Sequence, residues 1–178
     1  MMDAKVFVEH IYKGKKRRTG DPFVSHPYAV QALLRNAGVD DEEVLTAALL
    51  HDILEDTDLS KSYLAFRFGL RIADIVEMLS KQDFWTTDFC KMKSNMDEME
   101  IGFGHHPEAV VIKMADRLHN LQTIEGFKPK KQQEYLYEST EVLMPVFDRC
   151  CTIDKLSPYH QVMLNLKSQL NDTISSLA

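Results

Sequence analysis

Residues 40–56 read DDEEVLTAALLHDILED, and the order of apolar and polar residues in that stretch decides the fold class. Asp40 and Glu43 form a capping-box-like pair. Val44, Leu45, Ala48, Leu49 and Leu50 then make a broad apolar face, so the spacing predicts a buried helix running to about Glu55. At its end stand His51, Asp52, Glu55 and Asp56, an imidazole and three carboxylates. On a continuous helix His51 and Asp52 project about 100° apart, and Glu55 shares their face. Such a group can hold a cation. A dipeptide of this kind also arises by chance in roughly half of chains of similar composition, and a solvated acidic helix end would look the same.

Helical punctuation continues on both sides. A helix is expected from Ala4 to Tyr12, followed by a loop over Lys13–Pro22, which holds two glycines and a proline. Pro27 suits the first turn of a second helix to about Asn36, with Gly38 just past its end. Lys61–Phe68, capped by Ser60, and Leu70–Leu79 read as two more helices. Residues 82–106 lose the periodicity and are expected to form a loop or a partly mobile helix over the site. Pro107 opens a helix to Leu121, Pro129 one to about Arg149, and Ser157-Pro158 a last one to about Leu170. Alternating strand patterns do not recur. The class is all-α, and 178 residues without a repeat or low-complexity tract are expected to form a single domain, 1–178.

Composition narrows the function. Hydrophobic residues are 44% and charged residues 27%, which supports a packed core. A net charge of −6 argues against nucleic acid as the partner but leaves room for a local basic pocket. The longest near-apolar stretch, Val44–Leu50, is too short to cross a bilayer. The N-terminus lacks a signal-peptide core. The three cysteines, Cys90, Cys150 and Cys151, suit neither a disulfide framework nor a zinc knuckle. Reduced thiols and no membrane segment point to the cytoplasm.

Three further stretches carry candidate chemistry. In KMADRLHN (113–120) the carboxylate of Asp116 interrupts an apolar run, where it needs a partner: a metal, or a cation such as Arg117. His26 precedes Pro27 at a helix start, as a projecting ligand or a plain surface residue. Lys13 to Thr19 holds five cations in seven residues. That run is a solvated loop on its own and a phosphate clamp beside a metal.

RRTGDPFVSHP (17–27), AALLHDILEDT (47–57), Phe68-Gly69, VIKMADRLHNLQTI (111–124) and ESTEVLMPV (138–146) stand in register. In that order they resemble the HD superfamily of metal-dependent phosphohydrolases, and more narrowly the (p)ppGpp hydrolase domain of the RelA/SpoT alarmone family with its stand-alone small hydrolases. The resemblance implies a compact HD-domain bundle of about seven to eight helices. It implies one divalent ion, Mn²⁺, on His26, His51, Asp52 and Asp116, with Glu55 and Asp56 positioning and deprotonating water. It implies Arg17, Arg18 and Thr19 as nucleotide-binding residues, and Asn120 and Thr123 as residues lining the ribose and phosphate pocket. The implied reaction removes the 3′-pyrophosphate of ppGpp or pppGpp to give GDP or GTP. Mixed N/O donors suit Mn²⁺.

The chain departs from the family at Arg18, where lysine is frequent, at Thr19, where serine is, and at Tyr12, where histidine is common. Residues 82–106 match poorly. The sequence ends about thirty residues past the last match, so no synthetase activity is expected. The alternatives are an HD enzyme acting on ppApp or the 2′-phosphate of NADPH, and a metal-dependent nucleotide sensor without turnover. Oligomer formation is left open.

Overall fold

Burial drives the order of elements, and the longest apolar runs sit at the centre. The computed structural model of the protein describes residues 3–80, 106–153 and 155–177. The expected loop or helix over 82–106 lies outside them, apart from His106. The chain divides into two compact units, Met1–Ser80 and Lys81–Ala178.

The first unit contains α1 (Ala4–Ile11), α2 (Ser25–Ala37), α3 (Glu42–Leu50), α4 (Ile53–Asp56), α5 (Lys61–Phe68) and α6 (Leu70–Ser80). Helix α3 touches α1, α2 and α6. Six of its nine residues, Val44, Leu45 and Ala47–Leu50, are buried. A helix apolar on nearly every side belongs in the middle of a core. Val8, Val30, Leu34, Leu64 and Val76 complete that core. Gly38 ends α2 with φ +108, a left-handed conformation that glycine adopts without a Cβ clash.

The start of α3 differs from the expected Asp40–Glu43 box. Asp41 is the cap, accepting from the backbone N–H of Glu43 at 3.0 Å and of Val44 at 3.4 Å. Its carboxylate also accepts from Arg71 at 2.8 Å, and Glu43 turns to the same guanidinium at 2.7 Å. Asp41→Ala is expected to cost about 1–2 kcal/mol for the lost cap and ion pair. A urea midpoint equal to the parent's would show that burial alone holds the start of α3.

The second unit contains α7 (Pro107–Gln122), a 3₁₀ turn (Ile124–Gly126), α8 (Pro129–Glu138), a π turn (Ser139–Leu143), α9 (Met144–Ile153) and α10 (His160–Leu177). Helix α7 packs on α9 and α10. Val111, Met114, Leu118, Phe147, Met163 and Leu166 are fully buried.

Among the described residues all regular structure is helical, as expected, with one isolated β-bridge between Lys16 and Pro22. The eight expected helical runs are present, and two are broken. The run ending near Glu55 stops at His51-Asp52, and the run through Arg149 contains the π turn. The last helix extends to Leu177 rather than about Leu170, and its buried residues, Val162, Met163, Leu166 and Leu170, lie within the expected length. No described helix is long and apolar enough to cross a membrane.

Candidate metal centre

His51 and Asp52 sit where the helix unwinds. Asp52 has φ −92 and ψ −3, in the sparsely allowed bridge region where active-site residues recur. The backbone resumes with Glu55 N–H and Asp56 N–H donating to the Asp52 carbonyl at 3.1 and 2.9 Å. The expected continuous helical face through His51, Asp52 and Glu55 is therefore replaced by a corner. The corner brings the Asp52 carboxylate back beside His51, with His51 Nε2 3.2 Å from Asp52 Oδ1.

His26 reaches the same point from the first turn of α2. The basic loop before it is a closed turn. The Lys16–Pro22 bridge and the Arg17 N–H to Asp21 carbonyl bond at 2.8 Å tie its two arms together. Gly20 takes φ +93 in that turn. His26 Nε2 lies 3.2 Å from His51 Nε2 and 3.6 Å from Asp52 Oδ2. Both rings are 4% exposed and meet edge to face.

The donor set fits a cation. His51 Nδ1 lies 2.8 Å from the Ala48 carbonyl. A carbonyl only accepts, so Nδ1 carries a hydrogen, which leaves Nε2 as the ring's metal-binding atom. That atom faces a second imidazole nitrogen and a carboxylate. An imidazole anchored through its other nitrogen by a backbone carbonyl is the usual arrangement of a metal ligand. The chain thus carries a His/His/Asp cluster able to hold a divalent metal.

Glu55 and Asp56 follow on α4, both exposed. Partial burial and the neighbouring Asp52 push the Asp56 carboxyl above its ordinary range, against Tyr12, Lys15 and His51, which pull it down. Tyr12 was legible in sequence only as a departure from the family. In the structure it is buried at the end of α1, its ring 4.5 Å from that of Phe23 and beneath the Lys15 ammonium at 5.4 Å. Burial, then the Asp56 and Asp52 carboxylates, push its phenol strongly upward. Lys15 Nζ also approaches the Asp56 carbonyl at 3.5 Å. Thr19 donates to Asp21 at 2.8 Å within the basic turn, and Arg18 is exposed.

In the second unit Asp116 is buried on α7. Asn120 Nδ2 donates to its Oδ1 at 2.6 Å, and Lys113 Nζ is 3.5 Å from its Oδ2. The expected alternative, a cation beside the carboxylate, is met by Lys113, while the Arg117 guanidinium is directed to Glu138. Thr123 closes α7 by donating to the His119 carbonyl at 2.9 Å.

The HD domain family profile matches residues 4–150. A Synechocystis protein called a probable guanosine-3′,5′-bis(diphosphate) 3′-pyrophosphohydrolase is 34% identical over 146 residues, 80% of this chain and 19% of its own length. A Streptomyces coelicolor protein called GTP pyrophosphokinase is 34% identical over 141 residues, 79% of this chain and 16% of its own. The chain thus spans about a fifth of the length of these curated relatives. A solved structure of a metazoan ortholog of SpoT, described as hydrolysing ppGpp, shares the fold. Its TM-score is 0.75 at 22% identity, over 98% of this chain and 93% of that one. With the motifs in register and the profile spanning most of its residues, the chain belongs to the HD domain family.

Proposed function

We propose that the protein is a Mn²⁺-dependent hydrolase that removes the 3′-pyrophosphate of ppGpp or pppGpp, giving GDP or GTP and pyrophosphate, in the cytoplasm. The observation that carries the reading is the placement of His51 Nε2, 3.2 Å from His26 Nε2 and 3.2 Å from Asp52 Oδ1, one turn before Glu55 and Asp56. Asp116 is the proposed fourth ligand, and residues 1–178 act as one domain. The names of the relatives support a guanosine nucleotide as substrate.

The chemistry assigned to the chain is local. A divalent ion, when bound, supplies positive charge beside the phosphate oxygens and acidifies water. Glu55 and Asp56 align the attacking water and accept its proton. The water oxygen joins phosphorus, the bond to the ribose 3′ oxygen breaks, and that oxygen takes a proton. Arg17 and Arg18 hold phosphate oxygens or the base, because a guanidinium fork matches two acceptors at once. Thr19, Asn120 and Thr123 line the ribose and phosphates.

The test is a panel of ppGpp, pppGpp, ppApp, NADPH and dNTPs with the Mn²⁺-loaded protein. Pyrophosphate release from ppGpp that stops in EDTA is expected. Orthophosphate alone, or preference for NADPH or ppApp, would move the substrate to the related nucleotide. Bound ppGpp without product would make the protein a sensor.

A further inference from the structure

We infer that Arg117, gripped by Tyr135, Glu138 and Ser139, is the positioning residue for Asp116. The inference rests on the proposed ligand role of Asp116. Arg117 follows Asp116 on α7 and is 4% exposed. A guanidinium so buried is costly unless paired. Its Nη2 donates to Glu138, its Nη1 lies 3.4 Å from Ser139 Oγ, and its Cζ sits 4.1 Å over the Tyr135 ring. These three residues are spaced i, i+3 and i+4, so the end of α8 and the start of the π turn meet one guanidinium on one face.

The local backbone is shaped around this contact. Ser139 donates to the Tyr135 carbonyl at 2.7 Å and opens the π turn Ser139–Leu143. Single π turns inside α-helices collect at functional sites. Among the described residues the buried Arg117 Nε has no hydrogen-bond partner, and an incompletely satisfied buried guanidinium costs stability.

Asp116 and Arg117 project about 100° apart. Lys113 and Asn120, its partners on α7, orient the carboxylate relative to that helix but cannot fix the helix itself. A planar fork held by a charge, a hydroxyl and a ring resists rotation of α7. A turn of 20° moves an atom about 6 Å from the axis by about 2 Å, whereas metal ligands tolerate about 0.2 Å. Holding Arg117 therefore aims Asp116.

The experiment measures Mn²⁺ affinity by calorimetry and the metal-free thermal midpoint, for the parent and five variants. Glu138→Gln keeps the shape and removes the charge, and a Mn²⁺ affinity lower by about 10–100-fold is expected. Ser139→Ala, a gentler change, should weaken binding in the same direction. Arg117→Lys should not restore it, since an ammonium lacks the fork. Val162→Ala, in the core of the same unit, should lower the midpoint yet bind Mn²⁺ as the parent does. Parental affinity in Glu138→Gln and Ser139→Ala, with loss in Asp116→Ala, would overturn the positioning role and leave the ligand role standing. Parental affinity in Asp116→Ala would overturn both.

Discussion

Asp52→Ala is expected to lose both Mn²⁺ binding and ppGpp hydrolysis. Asp52 brings the negative charge of the cluster, with Oδ1 3.2 Å from His51 Nε2 and Oδ2 3.6 Å from His26 Nε2. Without it two imidazoles remain in the first unit, and hard divalent ions such as Mn²⁺ favour oxygen donors. The charge stabilisation that a bound ion supplies to a phosphoryl transition state is several kcal/mol. At about 1.4 kcal/mol per decade its loss is about 10³–10⁴-fold in rate. Stability gives a second readout. At 100 times the dissociation constant, Mn²⁺ should stabilise the parent by about 2.7 kcal/mol and the variant by almost nothing. Asp52→Asn separates charge from shape, and the same loss is expected because the amide oxygen carries no charge. A variant that keeps Mn²⁺ affinity and turnover would remove Asp52 from the ligand set.

Helix-forming signals were legible wherever they were local. Pro27, Gly38, Ser60 and Pro107 mark element ends because their effects act through neighbouring backbone groups, and α2, α5 and α7 begin or end beside them. The corner at His51-Asp52 was not legible. LTAALLHDILED has no glycine or proline to announce a break, and the unwinding shows only in the Asp52 dihedrals. The His26–His51–Asp52 cluster was reached through the order of motifs, since nothing local joins His26 to residues 25 positions on. The surroundings of Tyr12 and Arg117 were not legible for the same reason. A tyrosine at a helix end and an arginine beside an aspartate are ordinary in sequence. Their surroundings come from Phe23 and Asp56 in one case, and from Tyr135, Glu138 and the π turn in the other. Asp41 rather than Asp40 caps α3 because the helix begins at Glu42, and Arg71, thirty residues on, also holds the Asp41 carboxylate. Boundary errors of one residue are ordinary for sequence reading.

Glu55→Gln is expected to keep Mn²⁺ affinity nearly intact and to lose rate by about 10²–10⁴-fold, the range for a general base. Glu55 lies three residues after Asp52, in the first turn of α4, and its side chain is exposed. The amide has the shape and hydrogen-bonding reach of the carboxylate but cannot accept a proton. The change therefore separates orienting water from deprotonating it. The corner at Asp52 gives this separation its physical basis: it turns the chain so that Asp52 joins the histidines while Glu55, on the next turn, faces solvent. A kcat loss with KM unchanged is the expected pattern, since substrate contacts are assigned to the basic turn and to Asn120 and Thr123. The loss corresponds to about 2.7–5.4 kcal/mol of transition-state stabilisation. Loss of metal with loss of rate would make Glu55 a ligand. An unchanged rate would pass the proton to Asp56, whose carboxyl is already raised by partial burial and by Asp52 and so holds a proton more readily than an ordinary aspartate.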